Sequence, residues 1–121
     1  MSRLTEAQEQ AKLFKWTQDG AIRHWYPDLK FLFHIPNGGK RDAIEGRHLK
    51  QQGVKSGVPD LFLPVPKGRF NGLFIELKAI GGKTTLNQDW WLEELKNKGY
   101  VAAVCYGFEN AKSVILEYLN L

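Results

Sequence analysis

The sequence predicts a small α/β domain, a mixed sheet flanked by helices, in the order α-β-α-β-β-α-β-α. Three observations predict it. Segments with helical spacing alternate with short runs rich in aromatic and branched residues. Two helix starts carry capping-box spacing, Thr5 to Gln8 and Thr85 to Gln88. The chain has 121 residues, 43% hydrophobic and 25% charged, which supports one core and one domain over residues 1–121. Helices that alternate with strands in this way pack on the faces of a sheet.

The first helix is expected from Thr5 to about Tyr26, where Pro27 stops it, with Gly20 as a weak point. Leu29 to Ile35 has the aromatic and branched content of a strand, bounded by Pro27-Asp28 and by Pro36-Asn37-Gly38-Gly39. Arg41 to Gln52 reads as a short basic helix ended by Gly53. Asp60 to Val65 and Leu73 to Lys78 are two strands, joined through Pro66 to Gly72 as a hairpin. After the break at Ile80 to Lys83, Thr85 to Lys98 is a helix that stops at Gly99. Tyr100 to Tyr106 is continuously apolar and is expected to be buried on both faces. The last helix runs from about Glu109 to Leu119, with Ala111, Val114, Ile115 and Tyr118 on one stripe.

Composition removes several function classes. Seven Phe, four Tyr and four Trp supply enough apolar surface for a packed core, which excludes disorder. No apolar run approaches the roughly 18 residues of a membrane span, so no membrane is expected as partner. The polar start from Ser2 to Gln10 does not resemble a secretory signal, and the single cysteine, Cys105, excludes a disulfide framework. A reducing cytoplasm is the expected compartment. Net charge is +4, and its excess is concentrated. Lys40, Arg41, Arg47, Lys50 and Lys55 fall between Pro36 and Gly57 against Asp42 and Glu45, together with five of the twelve glycines. Such a segment suits contact with a phosphate backbone, although a solvated helix face would have the same composition. Asn37-Gly38-Gly39 can expose successive N–H groups to a phosphate or simply end a strand.

The chemistry concentrates in Pro59-Asp60 and Glu76-Leu77-Lys78. Side chains on a strand alternate, so Glu76 and Lys78 share a face and Leu77 points to the other. Hairpin pairing can bring Asp60 beside Glu76. Two carboxylates at that distance repel unless a cation neutralises them, and oxygen ligands select a hard ion such as Mg²⁺ or Mn²⁺. Lys78 beside them can orient water or offset developing negative charge. Either piece alone is commonplace, a turn or a solvent-facing charge pair. Their apolar neighbours, Leu61-Phe62-Leu63 and Phe74-Ile75, make solvent exposure a poor explanation. His24, His34 and His48 have no metal-ligand spacing, and His34 is expected to be packed or hydrogen-bonded at its strand end. Trp16, Trp90 and Trp91 suit a core or a dimer surface, and Cys105 is expected to be inert.

With these stretches in order, the chain resembles the VRR-NUC family, the virus-type replication-repair nucleases of the PD-(D/E)XK superfamily. The resemblance rests on His34-Ile35-Pro36-Asn37-Gly38-Gly39, Gly53 to Leu61 (GVKSGVPDL), Gly72 to Lys78 (GLFIELK), Leu86-Asn87-Gln88 and Gly99-Tyr100. It looks like a stand-alone, phage-type member. The resemblance implies a restriction-endonuclease-like fold and a DNA endonuclease dependent on Mg²⁺ or Mn²⁺, with no organic cofactor. Asp60 and Glu76 would be metal ligands with the backbone carbonyl of Leu77, and Lys78 the catalytic lysine. Gln88 matches a helical glutamine near the site, while its spacing from Thr85 equally suits a capping box. A first-helix acid is also implied: Glu6, which lies four residues from Gln10, with Glu9 as its rival. The family further implies a homodimer acting on branched DNA such as a four-way junction. Trp90-Trp91 and the last helix, with Ile115 and Tyr118, are the candidate interface surfaces.

Overall fold

The computed structural model describes residues 3–36 and 43–121. Helix α1 spans Glu6–Thr17 and α2 spans Gly20–Trp25. Strand β1 is Phe33–His34, α3 is Ala43–Gln51, β2 is Leu61–Leu63 and β3 is Leu73–Lys78. The chain ends with α4 (Leu86–Asn97), β4 (Val101–Tyr106) and α5 (Gly107–Leu119). The four strands lie in the order β1-β2-β3-β4. The first two pairings are antiparallel and β3–β4 is parallel, so the sheet is mixed as expected.

The sheet has two unlike faces. Leu61, Leu63, Leu73, Ile75 and Leu77 point into the main core, where they meet Leu13 of α1 and Ala111, Ile115 and Tyr118 of α5. On the other face Phe62 stacks on Phe74, and Tyr100 meets both rings edge-on. Glu76 and Lys78 continue that second face along β3, because they stand two and four residues from Phe74. The β3-α4-β4 unit places α4 over it.

Three expectations about elements are corrected. The helix expected from Thr5 to Tyr26 is two helices. Asp19 accepts from the N–H groups of Ala21 and Ile22 and so starts α2 as a new N-cap. The strand expected from Leu29 to Ile35 shrinks to β1, because Pro27–Phe31 forms a 3₁₀ turn. Its buried residues, Leu29 and Leu32, are three apart, which suits three residues per turn and not a two-residue strand repeat. Strand β4 is not buried on both faces. It lies at the sheet edge, paired to β3 alone, so only Ala102 and Cys105 are buried and Tyr106 is 42% exposed.

Elsewhere the local signals agree with the fold. Both capping boxes form, at Thr5 and Thr85. Gly53 ends α3 with φ +98°. Helix α5 begins at Gly107, two residues earlier than expected, because the Glu9 carboxylate accepts from the Phe108 N–H across the structure. Glu9 is thereby buried as a cap for α5. No helix among the described residues is long and apolar enough to cross a membrane.

Ile115 and Tyr118 were expected on an interface surface, and the fold places them in the core. Ile115 is fully buried, and the Tyr118 hydroxyl donates to the Val65 carbonyl at 2.6 Å. Trp90 is 55% exposed and meets Trp91 edge-on. Ile115→Ala should therefore lower stability in urea by about 2–5 kcal/mol, independent of protein concentration. Trp90→Ala should change it by less than about 1 kcal/mol at low concentration. Equal losses in the two variants would contradict this assignment.

Candidate active site

The β2–β3 register pairs Leu61 with Ile75, so the preceding residue, Asp60, stands across from Glu76. Side chains opposite one another on adjoining strands share a face. The two carboxyl groups come within hydrogen-bond reach of each other. Asp60 is also fixed from both sides of its backbone. Its carbonyl accepts from the Ile35 N–H at 2.6 Å and lies 2.9 Å from His34 Nδ1. Its carboxylate accepts from the Leu77 N–H at 2.9 Å. His34 is thus hydrogen-bonded at its strand end, as expected.

Glu76 is almost wholly buried. Its Oε1 accepts from Gln88 Nε2 at 3.0 Å and lies 3.6 Å from Lys78 Nζ. Its Oε2 is buried and meets no hydrogen-bond donor among the described residues. The neighbouring Asp60 cannot supply one while both acids are ionised, because two carboxylates are acceptors only. Burial, then the Asp60 charge, push the Glu76 carboxyl up to about 8, with a smaller push from the Glu6 charge. Burial also holds Asp60 above its ordinary value, against the Leu77 N–H, a hydrogen bond with Glu76 and the Lys78 charge. Lys78 is itself buried beside the pair.

Gln88 fills both of the roles open to it. Its Oε1 accepts from the Thr85 N–H in the capping box while its Nε2 holds Glu76. A single amide can do both because it has a donor end and an acceptor end. The two first-helix acids also separate. Glu9 turns to α5, whereas Glu6, in the first turn of α1, is near enough for its charge to act on Glu76.

The donor set suits a hard divalent cation. Among the described residues no group of three His, Cys, Asp or Glu side chains converges. The protein would instead offer Asp60, the unpartnered Glu76 Oε2 and one backbone carbonyl. The N–H and C=O of a strand residue point to the same edge, and the Leu77 N–H points to Asp60. The Leu77 carbonyl therefore opens beside the same acids. An all-oxygen set this sparse matches an ion that retains several waters, as Mg²⁺ does.

Of the residues expected at the site, Asp60, Glu76, Leu77, Lys78 and Gln88 come together, with Glu6 at its margin. Arg47, Lys50 and Lys55 are exposed. Asn37, Gly38, Gly39, Lys40 and Arg41 lie outside the described residues. Residue-by-residue reading missed one feature. Asn87 Nδ2 and Trp91 Nε1 both donate to the Ser56 carbonyl, at 2.7 and 3.1 Å. The usable signal was that positions 87 and 91 are four apart on one helix face, next to Gln88.

The raised Glu76 carboxyl has a consequence for stability. A carboxyl whose pKa is raised on folding binds its proton more tightly in the folded state. Folding then takes up a proton between its ordinary value, 4.5, and about 8, and stability falls as pH rises through that window. In EDTA the melting temperature should drop from about pH 5 to about pH 8, and Glu76→Gln should flatten the drop. Identical slopes for the two proteins would show that this carboxyl does not titrate there.

The VRR-NUC domain model matches residues 4–109. A solved structure described as a VRR_NUC domain protein aligns with a TM-score of 0.82 and 33% identity, covering 100% of this chain and 93% of that one. No curated protein matches the chain. The matched span contains the whole acid pair, Lys78 and Gln88, and the fold agrees over the full length. The chain belongs to the VRR-NUC family of nuclease domains in the PD-(D/E)XK superfamily.

Proposed function

We propose that the protein is an endonuclease that hydrolyses DNA phosphodiester bonds with Mg²⁺ or Mn²⁺, held by Asp60, Glu76 and the Leu77 carbonyl. The observation that carries this reading is the buried, unpartnered Glu76 Oε2 beside a second carboxylate. Without a cation the pair keeps a proton on Glu76 up to about pH 8; once both acids are ionised, that oxygen is left uncompensated, at a cost of roughly 1–3 kcal/mol or more. A bound divalent cation would neutralise the pair, acidify a water and offset charge on the phosphoryl oxygens.

The chain's own residues then have distinct tasks. Gln88 holds Glu76 Oε1 and so leaves Oε2 directed away from its amide. The Leu77 N–H holds one oxygen of Asp60. Lys78, with its ammonium 3.6 Å from Glu76 Oε1, can orient the attacking water and face the negative charge that builds on the phosphate. Water attacks phosphorus in line as the bond to O3′ breaks. The water loses a proton, O3′ gains one, and the products carry a 5′-phosphate and a 3′-hydroxyl. Glu6 is a further acid at the margin of the site.

The substrate reading goes further, to branched DNA cut by a homodimer. A 13.8 kDa module contacts only a short length of backbone, so telling a junction from a linear duplex favours two modules at fixed separation. Of the two candidate surfaces named from the sequence, the one at Trp90 stays exposed while Ile115 and Tyr118 of the other lie in the core. Cleavage should be lost in EDTA and fall by at least about 100-fold in Asp60→Ala, Glu76→Gln and Lys78→Ala, with folding retained. Ca²⁺ should bind without supporting turnover. Matched linear, flap and four-way DNAs should be cut at unequal rates, four-way fastest. Excess Asp60→Ala protein should suppress paired cuts more than single nicks. Full activity in Asp60→Ala would sink the catalytic assignment, and equal rates on all DNAs would favour a nuclease of plain duplex or single strands.

The exposed Arg47, Lys50 and Lys55 are proposed DNA contacts, as are, from the sequence, Asn37, Gly38, Gly39, Lys40 and Arg41. Each charge reversal among Arg47, Lys50 and Lys55 should reduce the slope of log K against log salt by about 0.9. A slope unchanged by all three would place this surface away from DNA.

A further inference from the structure

We infer that Asn87 and Trp91 are positioning residues for the acid pair, acting through the Ser56 carbonyl. The inference rests on the nuclease reading and deepens it. Ser56 O receives two side-chain donors from one helix face, Asn87 Nδ2 and Trp91 Nε1. The Asn87 amide also lies 3.4 Å from Ser56 Oγ. The next residue, Gly57, adopts φ +89° and packs directly on that amide. A Cβ at Gly57 would come within 2.7 Å of Asn87 Nδ2, so the contact requires a glycine both for conformation and for space.

Ser56 stands four residues before Asp60, and the link between them has little slack. Pro59 is fully buried, and proline fixes its own φ. Asp60 is next in the chain and its carbonyl is already held by Ile35 and His34. On the same helix, Gln88 holds Glu76. Helix α4 therefore grips both acid-bearing segments, one directly through Gln88 and one through the Ser56 carbonyl. The β2–β3 register sets Asp60 opposite Glu76, and one capped helix adds a second restraint on the two segments that carry them. A site held in this way binds metal without first ordering a ligand.

A latch that served folding alone would change melting temperature and nothing else. The test measures Mn²⁺ binding by calorimetry without DNA, alongside melting temperature, kcat at saturating Mn²⁺ and KM for DNA. Trp91→Phe keeps an aromatic ring while removing the N–H donor and part of the indole, so, with melting temperature as its control for lost packing, it is the informative variant if Asn87→Ala fails to fold. Trp91→Phe and Asn87→Ala should each weaken Mn²⁺ binding about three- to tenfold, the range expected for one lost hydrogen bond. Both should keep kcat at saturating Mn²⁺ and KM for DNA within about threefold. Asn87→Asp should also bind Mn²⁺ more weakly than wild type, although it adds negative charge near the site. Wild-type affinity in folded Trp91→Phe and Asn87→Asp would overturn the inference. Failure of the wild-type protein itself to bind Mn²⁺ would overturn the nuclease reading first, and the two failures are thereby distinct.

Discussion

The crowding of two carboxylates on one face of adjoining strands is the constraint around which the site is built. The hairpin register sets Asp60 opposite Glu76, and no rotation within the strands can separate them. Each nearby polar group answers that crowding in part. The Leu77 N–H satisfies Asp60, Gln88 satisfies one oxygen of Glu76, and Lys78 supplies positive charge. The compensation is incomplete, since burial still raises both acids, the Asp60 charge raises Glu76 further, and one Glu76 oxygen has no donor among the described residues. That remainder is the chemical opening that a hard cation and its waters can fill.

The fold supports this arrangement by separating its two sheet faces. Leu73, Ile75 and Leu77 anchor β3 in the α1–α5 core, while Phe74, Glu76 and Lys78 face the other way. The strand that carries Glu76 and Lys78 is therefore held by its own alternate residues. Stacking of Phe62 on Phe74, beside the acids, fixes β2 against β3 on that second face as well. Helix α4 then closes that side, with Gln88 reaching Glu76 and Asn87 and Trp91 reaching the loop before Asp60.

The two acids of α1 show how the same residue type divides its labour by angle. Glu6 and Glu9 are three apart, one near the site and one under α5. Glu9 accepts from the Phe108 N–H, and its Oε2 would lie 3.0 Å from a Cβ at Gly107. Its burial is therefore compensated by a helix N-terminus. Glu6 remains exposed and free to act on the site. Sequence alone supplied reasons for either choice, because both acids lie in one helical turn.

Much of the local structure was legible in the sequence because its causes are local. Capping boxes at Thr5 and Thr85, the stop at Gly53 and the strand alternation of Leu73 to Lys78 depend on residues within a few positions. So did the shared face of Glu76 and Lys78, whereas Asp60 comes beside them only through the pairing of β2 with β3. The rest depended on contacts far apart in the chain. Whether Pro27–Phe31 extends or coils was settled by Leu29 and Leu32 entering the core. The edge position of β4 exposed an apolar strand that pattern alone would bury, and the same packing withdrew Ile115 and Tyr118 from any surface. The Ser56 latch joins residues more than 30 positions apart, so neither partner announces it. Sequence determined which side chains share a face, since backbone periodicity is local. Tertiary structure alone decided which faces meet, because burial and long-range hydrogen bonds are properties of the assembled chain.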